Sequence, residues 1–133
     1  QIRVGVLSTE LIDSPNIGFT KSGGAVSLAI DRMRVEHLLD DYNFTYDEAI
    51  MECNNTMAVS AMIEFATVLD VHAVLGPPCG GTFPGTLSTA YNLPTFMWGY
   101  TFGAELTDAQ RFPYVSTITP SSQSWVTTGS REW

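Results

Sequence analysis

Val74-Leu75-Gly76-Pro77-Pro78-Cys79-Gly80-Gly81-Thr82-Phe83-Pro84-Gly85 is the stretch on which the fold turns. Its upstream half, within His72–Pro78, is apolar and reads as a short buried strand. Gly76 and two prolines stop that strand, because proline cannot donate to a sheet ladder. The downstream half opens a weak helix over Thr82–Asn92. A strand that passes through a tight turn into a helix is half of a βαβ unit. The turn also holds Cys79, which could be a nucleophile, a metal ligand or half of a crosslink.

The flanking sequence repeats the pattern. Ile2–Glu10 reads as a buried strand rich in β-branched residues. Leu11–Phe19 is a loop broken by Pro15 and Gly18. Lys21–Asp41 reads as one helix, with Ser22 as its N-cap and Val26, Ile30, Met33 and His37 on one stripe. Tyr42–Cys53 is a second strand and Asn55–Val71 a second helix. Apolar residues nearly encircle that helix: Met57, Val59, Met62, Ile63, Phe65, Val68 and Leu69. A surface helix buries one stripe only. Either this one is sandwiched within the domain or its outer face meets a partner, and the sequence leaves both open. Leu93–Thr101 is a fourth strand and Arg111–Ser121 a fifth extended segment. The tail over residues 121–133 begins like a helix and stops at Gly129. Strands alternating with helices predict an α/β fold with a doubly wound parallel sheet. Ligands of such sheets bind at the carboxyl ends of the strands. Here those ends are Ser8–Glu10, Gly76–Gly81 and Trp98–Phe102.

Composition narrows the function. The 133 residues are 44% apolar, enough for one domain with a core. Six Lys and Arg against fourteen Asp and Glu give a net charge of −8. That excludes a phosphate-binding surface for nucleic acid and an anionic membrane surface. No apolar run reaches the ~20 residues that cross a bilayer. The chain opens on Gln1 and runs straight into a strand; if it is a secreted segment, its signal peptide has been removed or omitted. Two sequons, Asn43-Phe44-Thr45 and Asn54-Asn55-Thr56, make Asn43 and Asn54 glycosylation candidates and favour an extracellular setting.

Catalytic chemistry finds no support. His37 falls mid-helix and His72 opens a strand, and neither has an acidic or amide partner for a Cys–His pair. Two cysteines and two distant histidines lack metal-ligand spacing, so no metal and no cofactor are expected. Lys21 beside two glycines lacks the spacing of a phosphate loop. Asp40–Asp41 and Asp47–Glu48 read as solvated faces. A disulfide between Cys79 and Cys53 fits better than two free buried thiols of a cytosolic protein, against which the sequons count. One ends the second strand and the other follows the third, on the same carboxyl edge.

The segments IRVGVL, SGGAVSLAIDRM, VLGPPC, YNLPTFMWGYT and ELTDAQRFPYVSTITPS occur in one order. Together they resemble the first lobe of a receptor-type guanylate cyclase ectodomain. That family is of the natriuretic-peptide-receptor, type I periplasmic-binding-protein kind, and the likeness is greatest to nematode chemosensory cyclases. The resemblance implies a Rossmann-like N-terminal lobe over residues 1–122, a second lobe missing, and a divergent or truncated tail over 123–133. It implies the Cys53–Cys79 pairing and a chain that is itself no enzyme. The parent would be a single-pass receptor at the extracellular face of the plasma membrane, its transmembrane segment outside this chain, or a secreted product if truncated. A ligand, small molecule or peptide, would rearrange a homodimer and drive intracellular cyclic GMP synthesis. Dimerisation through helices of this lobe makes Met57, Ala61, Glu64, Phe65 and Val68 contact candidates. The ligand-cleft candidates are Ser8, Thr9, Trp98, Gly99, Tyr100, Thr101 and Phe102, whose aromatics favour an apolar or aromatic small molecule. Two family features are missing. Pro78 lacks the N–H that natriuretic-type receptors aim at chloride. Pro77-Pro78-Cys79 replaces the serine-rich loop of amino-acid receptors. The alternative readings are a glutamate-receptor-like amino-terminal lobe and a small α/β enzyme.

Overall fold

In the computed structural model, residues 1–10 and 17–121 are described. The tail over 123–133 and residues 11–16 of the predicted first loop lie outside them. Five strands form one sheet in the order β2-β1-β3-β4-β5, every neighbouring pair parallel. They are β1 (Ile2–Ser8), β2 (Phe44–Ile50), β3 (Ala73–Leu75), β4 (Thr95–Met97) and β5 (Val115–Thr117). The connections carry α1 (Phe19–Ser22), α2 (Gly24–Val35), α3 (Asn55–Thr67), α4 (Thr82–Tyr91) and a 3-10 turn at Ala104–Thr107. The predicted class is therefore the observed one, a single doubly wound α/β lobe.

The register sorts side chains onto two faces, because successive residues of a strand alternate. Leu7, Val74 and Met97 point to one face and are fully buried. There they meet Ala58, Ala61, Met62 and Phe65 of α3 in one core cluster, and Leu106 and Phe112 in a second. Gly5 explains how closely α3 settles. A Cβ on Gly5 would lie 2.5 Å from the Phe65 ring, so the ring rests on bare β1 backbone. Val6, Leu75 and Phe96 point to the other face, in one row of the register. There the start of α2 shares a cavity wall with them.

Boundaries differ from the sequence reading where turn chemistry intervenes. The predicted helix Lys21–Asp41 is two helices split at Gly23, and it ends at Val35. Ser22 does not cap it. Gly23 takes the N-cap position and Ser22 ends α1, its hydroxyl donating to the Gly18 carbonyl. The stripe Val26, Ile30 and Met33 is the half-buried side of α2, but His37 lies beyond the helix. His37 takes a positive φ of 54° and its ring pairs with Asp40. The helix stops because residues 37 and 39 leave right-handed space. The Ile2–Glu10 stretch turns from strand to loop after Ser8, and within the extended segment Arg111–Ser121 only Val115–Thr117 is a strand. Beyond those bounds single contacts continue the pairing, Thr9 bridging Gly18 and Ile118 N donating to Met97 O at 2.8 Å.

Candidate functional site

The chain steps outward from β1 to β2 and then back past β1 to β3. The carboxyl ends of β1 and β3 therefore form the switch point of the sheet. Cys53 and Cys79 meet there as a disulfide, their Cα atoms 5.5 Å apart. The bond ties the exit of β2 to the turn after β3. That turn is sewn in its own right to the loop after β4. Tyr100 N donates to Pro78 O at 2.7 Å, Trp98 N to Pro77 O at 3.4 Å, and Cys79 and Tyr100 form a parallel bridge. Gly99, between them, has φ +69°, and a Cβ on it would lie 2.4 Å from the Pro78 carbonyl oxygen. Only glycine allows this approach. Disulfide, proline turn and aromatic loop thus form one connected edge.

The seven cleft candidates divide into two groups. Ser8, Thr9 and Thr101 are buried, and their hydroxyl protons are committed within the fold. Ser8 donates to Glu48 at 2.7 Å, Thr9 to Glu52 at 3.1 Å and Thr101 to the Trp98 carbonyl at 3.1 Å. Each of these hydroxyl protons therefore already has an acceptor inside the lobe. Trp98 and Gly99 are half-buried, while Tyr100 and Phe102 are exposed. The Tyr100 and Phe102 rings pack edge to face with centroids 6.0 Å apart. Trp98 faces elsewhere, into a cavity of about 210 Å³ on the α2 side that Val6, Phe19, Val26, Leu75 and Phe96 help to line. The sequence therefore located the aromatic edge but not its division between an outer pair and an inner wall.

Asp40, Asp41 and Glu48 are exposed, as read, and Asp47 is partly exposed but also ion-paired. Asp47 takes two hydrogen bonds from the Arg3 guanidinium across β1 and β2, whose third group reaches the Leu69 carbonyl. That guanidinium holds the Asp47 carboxyl below its usual range. Glu48 accepts from Ser8, and Glu52 accepts from Thr9 and from Glu10 N. Glu10 accepts from the Thr20 hydroxyl and Thr20 N, which lowers its pKa too. Alternation in β2 could have flagged Asp47 and Glu48, but their partners Arg3 and Ser8 lie 44 and 40 positions away.

Outside the edge, α3 shows both faces the sequence left open. Ala61 and Phe65 lie in the domain's own core, so they leave the set of contact candidates. Met57, Ile63, Glu64 and Val68 face outward, Val68 at 72% exposure. Phe83 and Tyr91 of the neighbouring α4 are exposed as well. Both sequon asparagines are on the surface, Asn43 before β2 and Asn54 as the N-cap of α3. Among the described residues no helix is long and apolar enough to cross a membrane.

Residues 21–128 match the receptor family ligand binding region. The chain is 34% identical over 125 residues to receptor-type guanylate cyclase gcy-4 of Caenorhabditis briggsae, covering 92% of this chain and 11% of that protein. It is 32% identical over 123 residues to receptor-type guanylate cyclase gcy-2 of Caenorhabditis elegans, covering 91% and 11%. Among solved structures it is similar to the branched-chain amino acid transporter substrate binding protein LivJ of Streptococcus pneumoniae in complex with isoleucine. The TM-score there is 0.74 at 17% identity, over 91% of this chain and 34% of that one, which speaks to the fold alone. The chain thus spans about a tenth of the length of the cyclases it matches. It belongs to the receptor family ligand binding region, as a single periplasmic-binding-protein-like lobe homologous to the ectodomains of nematode receptor-type guanylate cyclases.

Proposed function

We propose that this lobe senses a ligand outside the cell as part of a dimeric single-pass receptor whose intracellular cyclase makes cyclic GMP. The observation that carries the reading is the disulfide-anchored edge at the sheet's switch point, where the Pro77-Pro78 turn fixes the Trp98–Phe102 loop. A rigid loop presenting Tyr100 and Phe102 can hold an apolar or aromatic molecule without paying to order itself first. The committed hydroxyls of Ser8, Thr9 and Thr101 argue against a ligand that must be gripped by them. The exposed apolar residues Met57 and Ile63 of α3 and its C-cap Val68 support the dimer, because a partner would cover them. The relatives named above are cyclases, which favours this reading over a glutamate-type receptor.

The test is cyclic GMP output of the full-length receptor in cells given a panel of small aromatic and aliphatic compounds. A response lost in Tyr100→Ala with surface expression intact supports the reading. A response unchanged by both Tyr100→Ala and Phe102→Ala removes the edge from ligand binding. Val68→Glu tests the dimer separately, by cross-linking at the cell surface.

A further inference from the structure

The connection from α2 to β2 holds three large apolar side chains out in solvent. Leu38, Leu39 and Tyr42 are each at least half exposed. The connection is nevertheless tightly tied. Leu38 N donates to the Met33 carbonyl and Tyr42 N to the Leu39 carbonyl, both at 2.9 Å. His37 Nδ1 sits 3.0 Å from an Asp40 carboxylate oxygen. Leu39 keeps a φ of 55°, which a residue of its bulk adopts only when its surroundings hold it there. The result is a groove of about 340 Å³, walled by Met33, Leu38, Leu39, Tyr42 and Phe44, with Asn43 itself in the wall. That size lies within the roughly 300–1,000 Å³ in which proteins hold small ligands. Asp40 and Asp41 also line it and supply carboxylate acceptors.

Asn43 opens the sequon Asn43-Phe44-Thr45 and is exposed. We propose that Asn43 carries an N-linked glycan whose innermost N-acetylglucosamine seats in this groove and covers its apolar wall. Attachment needs a lipid-linked oligosaccharide pyrophosphate as donor. Asn43 Nδ2 attacks the anomeric carbon of the first sugar and loses one proton. The new N–C bond replaces the C–O bond to the pyrophosphate, which departs with the electron pair. The apolar face of the sugar ring then lies against Tyr42 and Leu39. Its N-acetyl N–H and hydroxyls have Asp40 and Asp41 as acceptors. The second sequon is differently placed. Asn54 Oδ1 accepts from Thr56 N at 2.9 Å and Met57 N at 3.2 Å, so its side chain lies along the start of α3. The inference rests on the extracellular placement proposed above.

The test uses the chain secreted from a eukaryotic host. The host supplies the secretory route, so failure here is separable from failure of the receptor reading. Mass spectrometry after enzymatic release should find Asn43 converted to Asp. Trimming to one sugar with an endoglycosidase should leave Tm within about 1 °C of the full glycoform, and complete release should lower it by about 3 °C or more. Asn43→Gln from the same host should match the fully released form without its added charge. Tyr42→Ser should shrink the one-sugar advantage to below about 1 °C, and Leu39→Ser serves if that variant does not fold. An unoccupied Asn43 overturns the proposal. So does a one-sugar form no more stable than the released form, or an advantage indifferent to both groove substitutions.

Discussion

The two faces of the sheet differ more than their sequences suggest. On the α3 and α4 face, Leu7, Val74 and Met97 are fully buried beneath Met62 and Phe65. On the α2 face, Val6 is buried, but Phe96 is 40% and Ile118 70% exposed. No residue of α2 is buried at all. A purely parallel sheet ordinarily has both faces covered. Here one side carries the packing, and the thin side shares its apolar cavity with Trp98 of the candidate site. The lobe is therefore held from one face and leaves room at the other.

The difference can be broken most directly at Phe65. Phe65→Ala should destabilise by about 3–5 kcal/mol, because it empties a closed core over Gly5. Urea unfolding followed by circular dichroism would measure it, and a loss below about 1 kcal/mol would contradict the assignment of the core to that face. Next in size is the crosslink. The paired change Cys53→Ala and Cys79→Ala releases a loop with a sequence separation of 26. It should cost about 3–4 kcal/mol in the chain-entropy model. Hydrogen exchange should then rise in residues 76–81 and 98–100 more than in α2.

Gly99→Ala should cost about 1–3 kcal/mol through its left-handed backbone and the blocked approach to Pro78. A melting curve indistinguishable from that of the unaltered chain would show that the turn and the aromatic loop are not tied as described. The smallest effect belongs to the thin face, where Phe96→Ser should change stability by about 1 kcal/mol or less. A loss as large as that of Phe65→Ala would erase the contrast between the faces.

Acid offers an independent probe. Asp47, Glu10 and Glu105 all have carboxyl pKa values lowered in the fold, from ordinary values of 3.8 for Asp and 4.5 for Glu. The causes are the hydrogen bonds from Arg3 to Asp47, from Thr20 to Glu10, and from its own backbone N–H and Thr82 to Glu105. Lowered native values mean that the unfolded chain takes up protons first as pH falls. Their stabilisation is complete at neutral pH and is lost as pH drops through the native values. Melting temperature should therefore hold from pH 7 to about 5 and fall below about 4. Asp47→Asn should flatten that fall, and an unchanged acid limb would remove the Arg3–Asp47 pair from the account.

Much of this was legible in the chain because its causes are local. Alternating β and helical patterns announced the parallel sheet, and two cysteines following the second and third strands on one carboxyl edge announced the bond. Gly-Pro-Pro after an apolar triplet marked where β3 stops. The over-apolar α3 was legible as a problem, although not as a solution: periodicity counts apolar positions and does not say which neighbour covers each. Only tertiary packing decided that Ala61 and Phe65 belong to the core while Met57, Ile63 and Val68 face out. It likewise decided the partners of Ser8, Thr9 and Asp47, each at least 40 residues distant. The sequence by itself determined the order of strands and helices, the fold class and the family resemblance, since backbone preference and side-chain period act over a few residues. The tertiary structure alone decided which hydroxyls remain available, which way each aromatic of the edge points and how unequally the two faces are covered. Those properties depend on groups that meet only after the sheet has closed its register.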